Sequence, residues 1–366
     1  MSETLRGFLA RHLAAGTMPG AVGLFGDDAP FAIGRDAPDG SEIRTDAVFR
    51  IQSMTKVVTA AATLRLVQDG TLALDDPVAT WLPELSAPRV LPHPDAPLDE
   101  ARPARRPITV RHLLTNTSGF GMMTTDSPLR TAMADARLEA GAEPVPLGAQ
   151  DWLDALAALP LAFEPGEGWR YHHSFGLLGI LLGRLDAGTA EEVLRATVFD
   201  PAGMTDTGFT VQAGEEHRLV AAYRRSPEGF VETDPAAAGF FVDPPYDVSH
   251  SELVSTAADF GAFLRALRDG RLIDRALVDE LSRDQVPDSA KADDSFFPGF
   301  WEGTGWGYGV SVVTDGEHRG RFGWSGGLGT DFFVDADGTI CVVMTQVEMD
   351  EQVFAMLGEL QGVASA

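Results

Sequence analysis

Lysine, cysteine and long apolar runs are what this sequence of 366 residues lacks. One cysteine, Cys341, leaves no intrachain disulfide framework and no thiolate metal cage. It sits in Thr339-Ile340-Cys341-Val342-Val343-Met344, a buried-strand pattern, and reads as inert core. No stretch approaches the roughly 20 apolar residues of a membrane helix. The densest, Leu177-Leu178-Gly179-Ile180-Leu181-Leu182, is too short. Nor does the start resemble a signal peptide. Leu5, Phe8, Leu9 and Leu13 recur at helical spacing, with Arg6 and Arg11 elsewhere, as in an amphipathic helix. A cytoplasmic protein with no membrane partner is expected. Positive charge is scarce as well, and a formal net charge of −26 disfavours nucleic acid and anionic membranes as partners. A salt-adapted or GC-rich source would give the same composition, so charge leaves the reaction open.

What is present in quantity is apolar residues, at 44%, enough for one large domain or two intimately packed ones. Gly20–Gly26 and Pro30–Gly34 read as a hairpin around Asp27-Asp28. Ser86–Pro107 is rich in Pro, Ala and Arg and is expected to be an exposed insertion. From Met122 to Leu185 helical patterns dominate, followed by helices over Glu191–Val198, Ala257–Leu267 and Asp274–Leu281. Gly307–Val313, Arg319–Trp324, Asp331–Val334 and Thr339–Thr345 read as sequential antiparallel strands before a C-terminal helix. Strands at both ends with helices between predict an α/β (α+β) fold. Its antiparallel sheet draws on both termini (residues 1–75 and 240–366), with a mostly helical domain (76–239) inserted and the active site at the interface.

The two lysines are Lys56 and Lys291; arginine supplies the rest of the positive charge. Lys56 closes Phe49-Arg50-Ile51-Gln52-Ser53-Met54-Thr55-Lys56, where a loop is expected to turn into a helix apolar nearly all round. A spacing of three stacks Ser53 and Lys56 on one helix face. A serine hydroxyl needs a base to become a nucleophile, and a buried lysine, its ammonium form disfavoured, can be that base. Arginine cannot be. The plainer reading is an N-capping serine with a first-turn lysine, although a cation there opposes the helix dipole.

Two further stretches belong with this pair. In Trp169-Arg170-Tyr171-His172-His173-Ser174, Tyr171 stands just before an expected helix, where a phenol can exchange protons with Ser53 and a leaving group. An ordinary boundary tyrosine is the alternative. His172-His173 does not predict a metal site, because adjacent histidines point apart and no further ligand has suitable spacing. In Phe322-Gly323-Trp324-Ser325-Gly326-Gly327, small residues on a strand edge let a substrate carbonyl approach the backbone. An N–H there, with that of Ser53, would form an oxyanion hole. Ser325 also fits G-x-S-x-G, but that motif needs a following helix and a later histidine, whereas a strand is expected and the last histidine is His318. Leu113-Leu114-Thr115-Asn116-Thr117-Ser118-Gly119 reads as helix end and turn, with no reactive geometry.

Taken together and in order, these motifs resemble the serine β-lactamase and penicillin-binding-protein superfamily. They are most similar to its esterases on the class C β-lactamase fold, the family VIII carboxylesterases. The similarity spans about Pro19 to Val343 and includes Leu253-Val254-Ser255-Thr256. It implies a β-lactamase/transpeptidase-like fold, no cofactor, and a small-molecule ester as partner; oligomeric state stays open. It implies acylation of Ser53, with Lys56 and Tyr171 sharing general-base and general-acid work. The N–H groups of Ser53 and Gly327 would hold the oxyanion, and Trp324, Ser325, Gly326 and His173 would line the substrate site. His173 replaces the asparagine of the β-lactamase Y-x-N motif, and Trp324 replaces the lysine of K-T-G. Losing that cation removes a charge-assisted hydrogen bond of about 1.5–3 kcal/mol to a substrate carboxylate. Uncharged esters are favoured over penicillins and peptides. Hydrolysis, acyl transfer, D-amino-acid peptidase or weak β-lactamase action and a non-catalytic sensor are the readings to separate. Ser251-Glu252 stands where a glycine pair is usual, and neither Glu252 nor His172 has a role legible in the sequence.

Overall fold

The computed structural model describes residues 2–141, 147–185, 188–234 and 252–363. Its centre is a seven-stranded sheet in the order Phe31–Gly34, Gly20–Phe25, Ile340–Met344, Thr330–Val334, Phe322–Gly326, Ser311–Val313, Thr304–Trp306. Every neighbouring pair is antiparallel. N-terminal strands therefore pair directly with the C-terminal one, Val22 opposite Met344 and Phe25 opposite Cys341.

Side chains alternate across a strand, so each strand feeds two cores. Val22, Leu24, Phe332, Val342 and Met344 join Phe260, Phe263 and Leu264 of the Ala257–Arg268 helix on one face. Ala21, Phe25, Phe333, Cys341 and Val343 meet Leu5, Phe8 and Leu9 of the Ser2–Ala14 helix on the other. Val353, Met356 and Leu360 of the Glu351–Val363 helix pack there too. Cys341 is fully enclosed, and burial pushes its thiol up, as expected of inert core.

The Thr55–Gln68 helix is buried from Thr55 to Leu64 and packs against the helix His173–Leu185, itself buried from His173 to Gly183. A helix apolar on all sides is stable only inside such a stack. Among the described residues no helix is long and apolar enough to cross a membrane.

Three expectations change. Gly307–Val313 is not one strand. Thr304–Trp306 forms the edge strand, a bend follows, and only Ser311–Val313 continues the sheet. The bend needs Gly309, at φ 79°, where a Cβ would lie 2.9 Å from the Lys56 carbonyl oxygen. Residues 86–107 are not simply exposed. Val90, Leu91 and Ala96 are buried, Arg89–Val90 pairs with Arg102–Pro103, and Arg102 and Arg105 clamp the buried Glu164 carboxylate at 2.7 and 3.1 Å. The helix expected over Glu191–Val198 is α-helical only from Ala190 to Leu194 and continues as a π turn over Arg195–Phe199. The domain boundary expected at 239/240 lies outside the described residues, as does Ser251.

Candidate active site

Ser53 is placed by a strained turn. Phe49–Arg50 pairs with Val254–Ser255, and the Ile51 N–H donates to the Leu253 carbonyl at 3.0 Å. The buried Gln52 then takes φ 50°, a left-handed conformation that costs a non-glycine residue on the order of 1–3 kcal/mol. A 3₁₀ turn over Gln52–Met54 carries Ser53, and the α-helix begins at Thr55. Lys56 Nζ lies 3.0 Å from Ser53 Oγ. Burial pulls Lys56 down from 10.5 to about 7, against the charge of Glu252, which favours the ammonium. Glu252 is itself buried and is not among the residues that line the cleft.

Gly326 lets the neighbouring strand close on this turn. A Cβ there would run into the Ile51 carbonyl and the Thr330 hydroxyl, which itself donates to that carbonyl at 3.2 Å. Gly327 and Ser53 line one cleft.

Tyr171 is held by the Leu113–Gly119 segment. The Asn116 carbonyl, at a residue with φ 56°, accepts from Arg170 N–H at 3.0 Å, and Ser118 Oγ lies 2.9 Å from Ser174 Oγ. The Tyr171 carbonyl accepts from Met122 N–H at 2.9 Å. His172 follows at φ 96°, so both Ser53 and Tyr171 have a left-handed, non-glycine neighbour. The phenol hydrogen-bonds with Ser53 and accepts from Trp324 Nε1 at 2.6 Å. Its ring centre lies 4.6 Å from Lys56 Nζ. Burial pushes the phenol well above its ordinary value, so it stays protonated.

The structure thus brings Ser53, Lys56, Tyr171, Trp324, Ser325 and Gly327 together. One expectation for the lining changes. His173 is turned away from the cleft: Nε2 lies 2.6 Å from the Leu138 carbonyl and the ring stacks on Trp152 at 6.0 Å. Gly326, between the lining residues Ser325 and Gly327, is pressed on the Ser53 turn on the side where a Cβ would be. Ser325 lines it, but its Oγ donates to Asp331 Oδ2 at 2.5 Å, and a turn and strand follow rather than a helix. His172 stands edge-on to Tyr171, ring centres 5.8 Å apart.

Sequence reasoning missed the aromatic wall. Phe296, Phe297 and Phe300 line the cleft with Trp324, and Phe296 lies 5.1 Å from the Tyr171 ring centre. The density of Phe and Trp in Phe296–Trp301, within a glycine- and proline-bearing loop, was the available signal. Among the described residues no group of three or more His, Cys, Asp or Glu side chains is placed to hold a metal ion.

An antiparallel sheet between helical layers, with a serine at a helix start and a buried lysine one turn on, defines the class: serine hydrolases of β-lactamase/transpeptidase-like fold. The chain belongs to the Beta-lactamase family, whose model matches residues 5–358. Protein Rv1367c of Mycobacterium tuberculosis is 38% identical over 313 residues, spanning 83% of this chain and 76% of that protein. Esterase EstB of Burkholderia gladioli is 31% identical over 335 residues, spanning 82% and 77%. Among solved structures, EstCE1, titled a hydrolase with promiscuous acyltransferase activity, matches with TM-score 0.84 at 22% identity, covering 100% of this chain and 98% of that one.

Proposed function

We propose that this protein hydrolyses small to medium carboxylic esters that carry no carboxylate, through an acyl-Ser53 intermediate. The observation that carries the reading is the 3.0 Å approach of Lys56 Nζ to Ser53 Oγ at a site that brings the lysine to about 7. A lysine at 10.5 would be neutral in only about one molecule in several thousand at neutral pH; at about 7, roughly half are. Ser53 Oγ attacks the ester carbonyl carbon while its proton passes to neutral Lys56. The oxyanion faces the N–H groups of Ser53 and Gly327. The protonated Tyr171 hydroxyl, adjacent to Ser53, gives a proton to the departing alkoxide as the C–O bond breaks, and Lys56 restores it. Water then attacks the acyl carbon, losing a proton to the same base, and Ser53 leaves with a proton returned.

Trp324 supports the choice of ester. It puts an indole where a substrate carboxylate would need a cation, which disfavours the peptidase and β-lactamase readings. Retention of both Lys56 and Tyr171 at the serine disfavours a non-catalytic sensor. The name of the relative EstB agrees with ester cleavage. A second reading, acyl transfer to an alcohol or amine on the same acyl-enzyme, is favoured by the aromatic wall, which limits water around the acyl group.

Ser53→Ala is expected to abolish both p-nitrophenyl ester turnover and covalent labelling by a phosphonate. Labelling that survives in this variant contradicts the proposal. Product analysis with an added alcohol separates the readings: free acid alone means hydrolysis, a new ester means transfer.

A further inference from the structure

The cavity that opens on Ser53 continues past Ser325 to the underside of the Glu351–Val363 helix, about 460 Å³ in all. Its mouth is apolar. Phe297 and Phe354 are 39% and 51% exposed, with ring centres 5.6 Å apart, and Met349 stands beside them on the same lining. Its far part is polar. Ser325 and Asp331 are register partners on adjacent strands, their side chains on the sheet face that the C-terminal helix covers, and Gln361 reaches down from that helix. Gly323, two residues before Ser325 on the same strand, also lines the cavity.

Asp331 is only 2% exposed, yet its hydrogen bonding is incomplete. Oδ2 accepts from Ser325 at 2.5 Å, and among the described residues Oδ1 has only a long contact, 3.4 Å, from Gln361 Nε2. A carboxylate offers about four acceptor positions, and leaving them unused in a buried place is unfavourable. The nearby guanidinium of Arg321 does not supply the rest. It is held by Asp335 at 2.7 and 3.1 Å and by the Gln361 carbonyl at 2.5 Å. The mechanism gives Asp331 no task, although it lines the cavity of the nucleophile.

We propose that this cavity takes one arm of the ester and that Asp331 accepts a hydrogen bond from a hydroxyl or ammonium group at the end of that arm. The substrate is then an ester with an apolar stem, held by Phe297, Phe354 and Met349, and a donor at its far end. The inference rests on the acyl-Ser53 reading. Above about pH 7, where Asp331 is ionised, an anionic end group is repelled by the same carboxylate, whereas either donor meets it directly, and the assays belong in that range.

The test is a ladder of p-nitrophenyl esters of increasing acyl length, each in three forms: methyl-terminated, ω-hydroxy and ω-amino. A parallel ladder carries the same end groups on the alcohol side. At the length that spans the cavity, kcat/KM is expected to favour a donor-terminated ester over its methyl counterpart by about tenfold, the effect of one hydrogen bond to a charged group. Preference for both donors identifies the shared chemistry; preference for the amine alone identifies the charge. Asp331→Asn should collapse the ω-amino ratio, read within the variant and so independent of its overall yield. The wild-type ladder decides even if that variant does not fold. Equal turnover of matched esters at every length, on both sides, overturns the proposal, the cavity then holding water only. Absence of turnover for every ester overturns the acyl-Ser53 reading together with it.

Discussion

The indole Nε1–H of Trp324 donates to the hydroxyl of Tyr171 at 2.6 Å. An indole can only donate, so the phenol oxygen is an acceptor here and its own proton is free to face Ser53. In the proposed mechanism Trp324 thereby orients the proton that passes to the departing alkoxide. Trp324→Phe keeps an apolar wall and removes the donor. Loss of a neutral hydrogen bond of about 0.5–1.5 kcal/mol predicts a fall in kcat of roughly two- to twelvefold, with KM for an apolar ester little changed. Steady-state kinetics on one p-nitrophenyl ester measure the split; a change confined to KM contradicts the orienting role.

The pH profile follows from Lys56. In the proposed mechanism the active form is the neutral amine, so kcat/KM should rise with pH through about 7 and level off above it. Glu252 favours the ammonium, so Glu252→Gln should move this limb to lower pH. A limb that stays in place or moves upward would separate Glu252 from the lysine's titration.

Stability should respond to pH at Asp331 in the opposite sense to an ordinary surface carboxylate. Burial raises it from 3.8 to about 7, ahead of the lowering by Ser325, Gln361 and Arg321. The folded chain then binds more protons than the unfolded one between these values, so this group's contribution is full below 3.8 and is lost as pH rises towards about 7. Urea unfolding near both ends of that window should show a smaller decline for Asp331→Asn than for the wild type.

Gly326 is a test of the turn that carries Ser53. The added methyl of Gly326→Ala meets the Ile51 carbonyl and the Thr330 hydroxyl, neither of which can swing away as a long side chain would. Overpacking of this kind costs about 1–3 kcal/mol, and the shift falls on Gln52 and Ser53. Activity should drop more than the fraction folded, as measured by circular dichroism beside ester turnover. Equal losses would place the effect in folding alone.

Much of this was legible in the sequence because the pattern and the chemistry coincide. Ser53 and Lys56 are one helical turn apart, and helix geometry alone stacks them. Strand alternation in Thr330–Val334 and Ile340–Met344 separates two cores, and each core holds the residues the alternation predicts. What stayed hidden depends on backbone conformations that composition does not encode. Gln52, Asn116 and His172 adopt left-handed φ without being glycine, held there by tertiary packing. That strain sets Ser53 and Tyr171 in place and gives the Leu113–Gly119 segment its part as a scaffold. It also accompanies the turning of His173 into the helical core, where the motif position alone had suggested the substrate. Asp331 reads in sequence as one polar residue before an apolar run; only the register against Ser325 puts it in the cavity.

The most direct measurement is intact-mass detection of the acylated protein during turnover of a slow ester, followed by mapping of the modified peptide. The account predicts one acyl group per chain, carried on Ser53, and its disappearance as product forms. An adduct on the Ser325 peptide, or steady ester cleavage with no acylated protein when turnover is slowed by Tyr171→Phe, would contradict it.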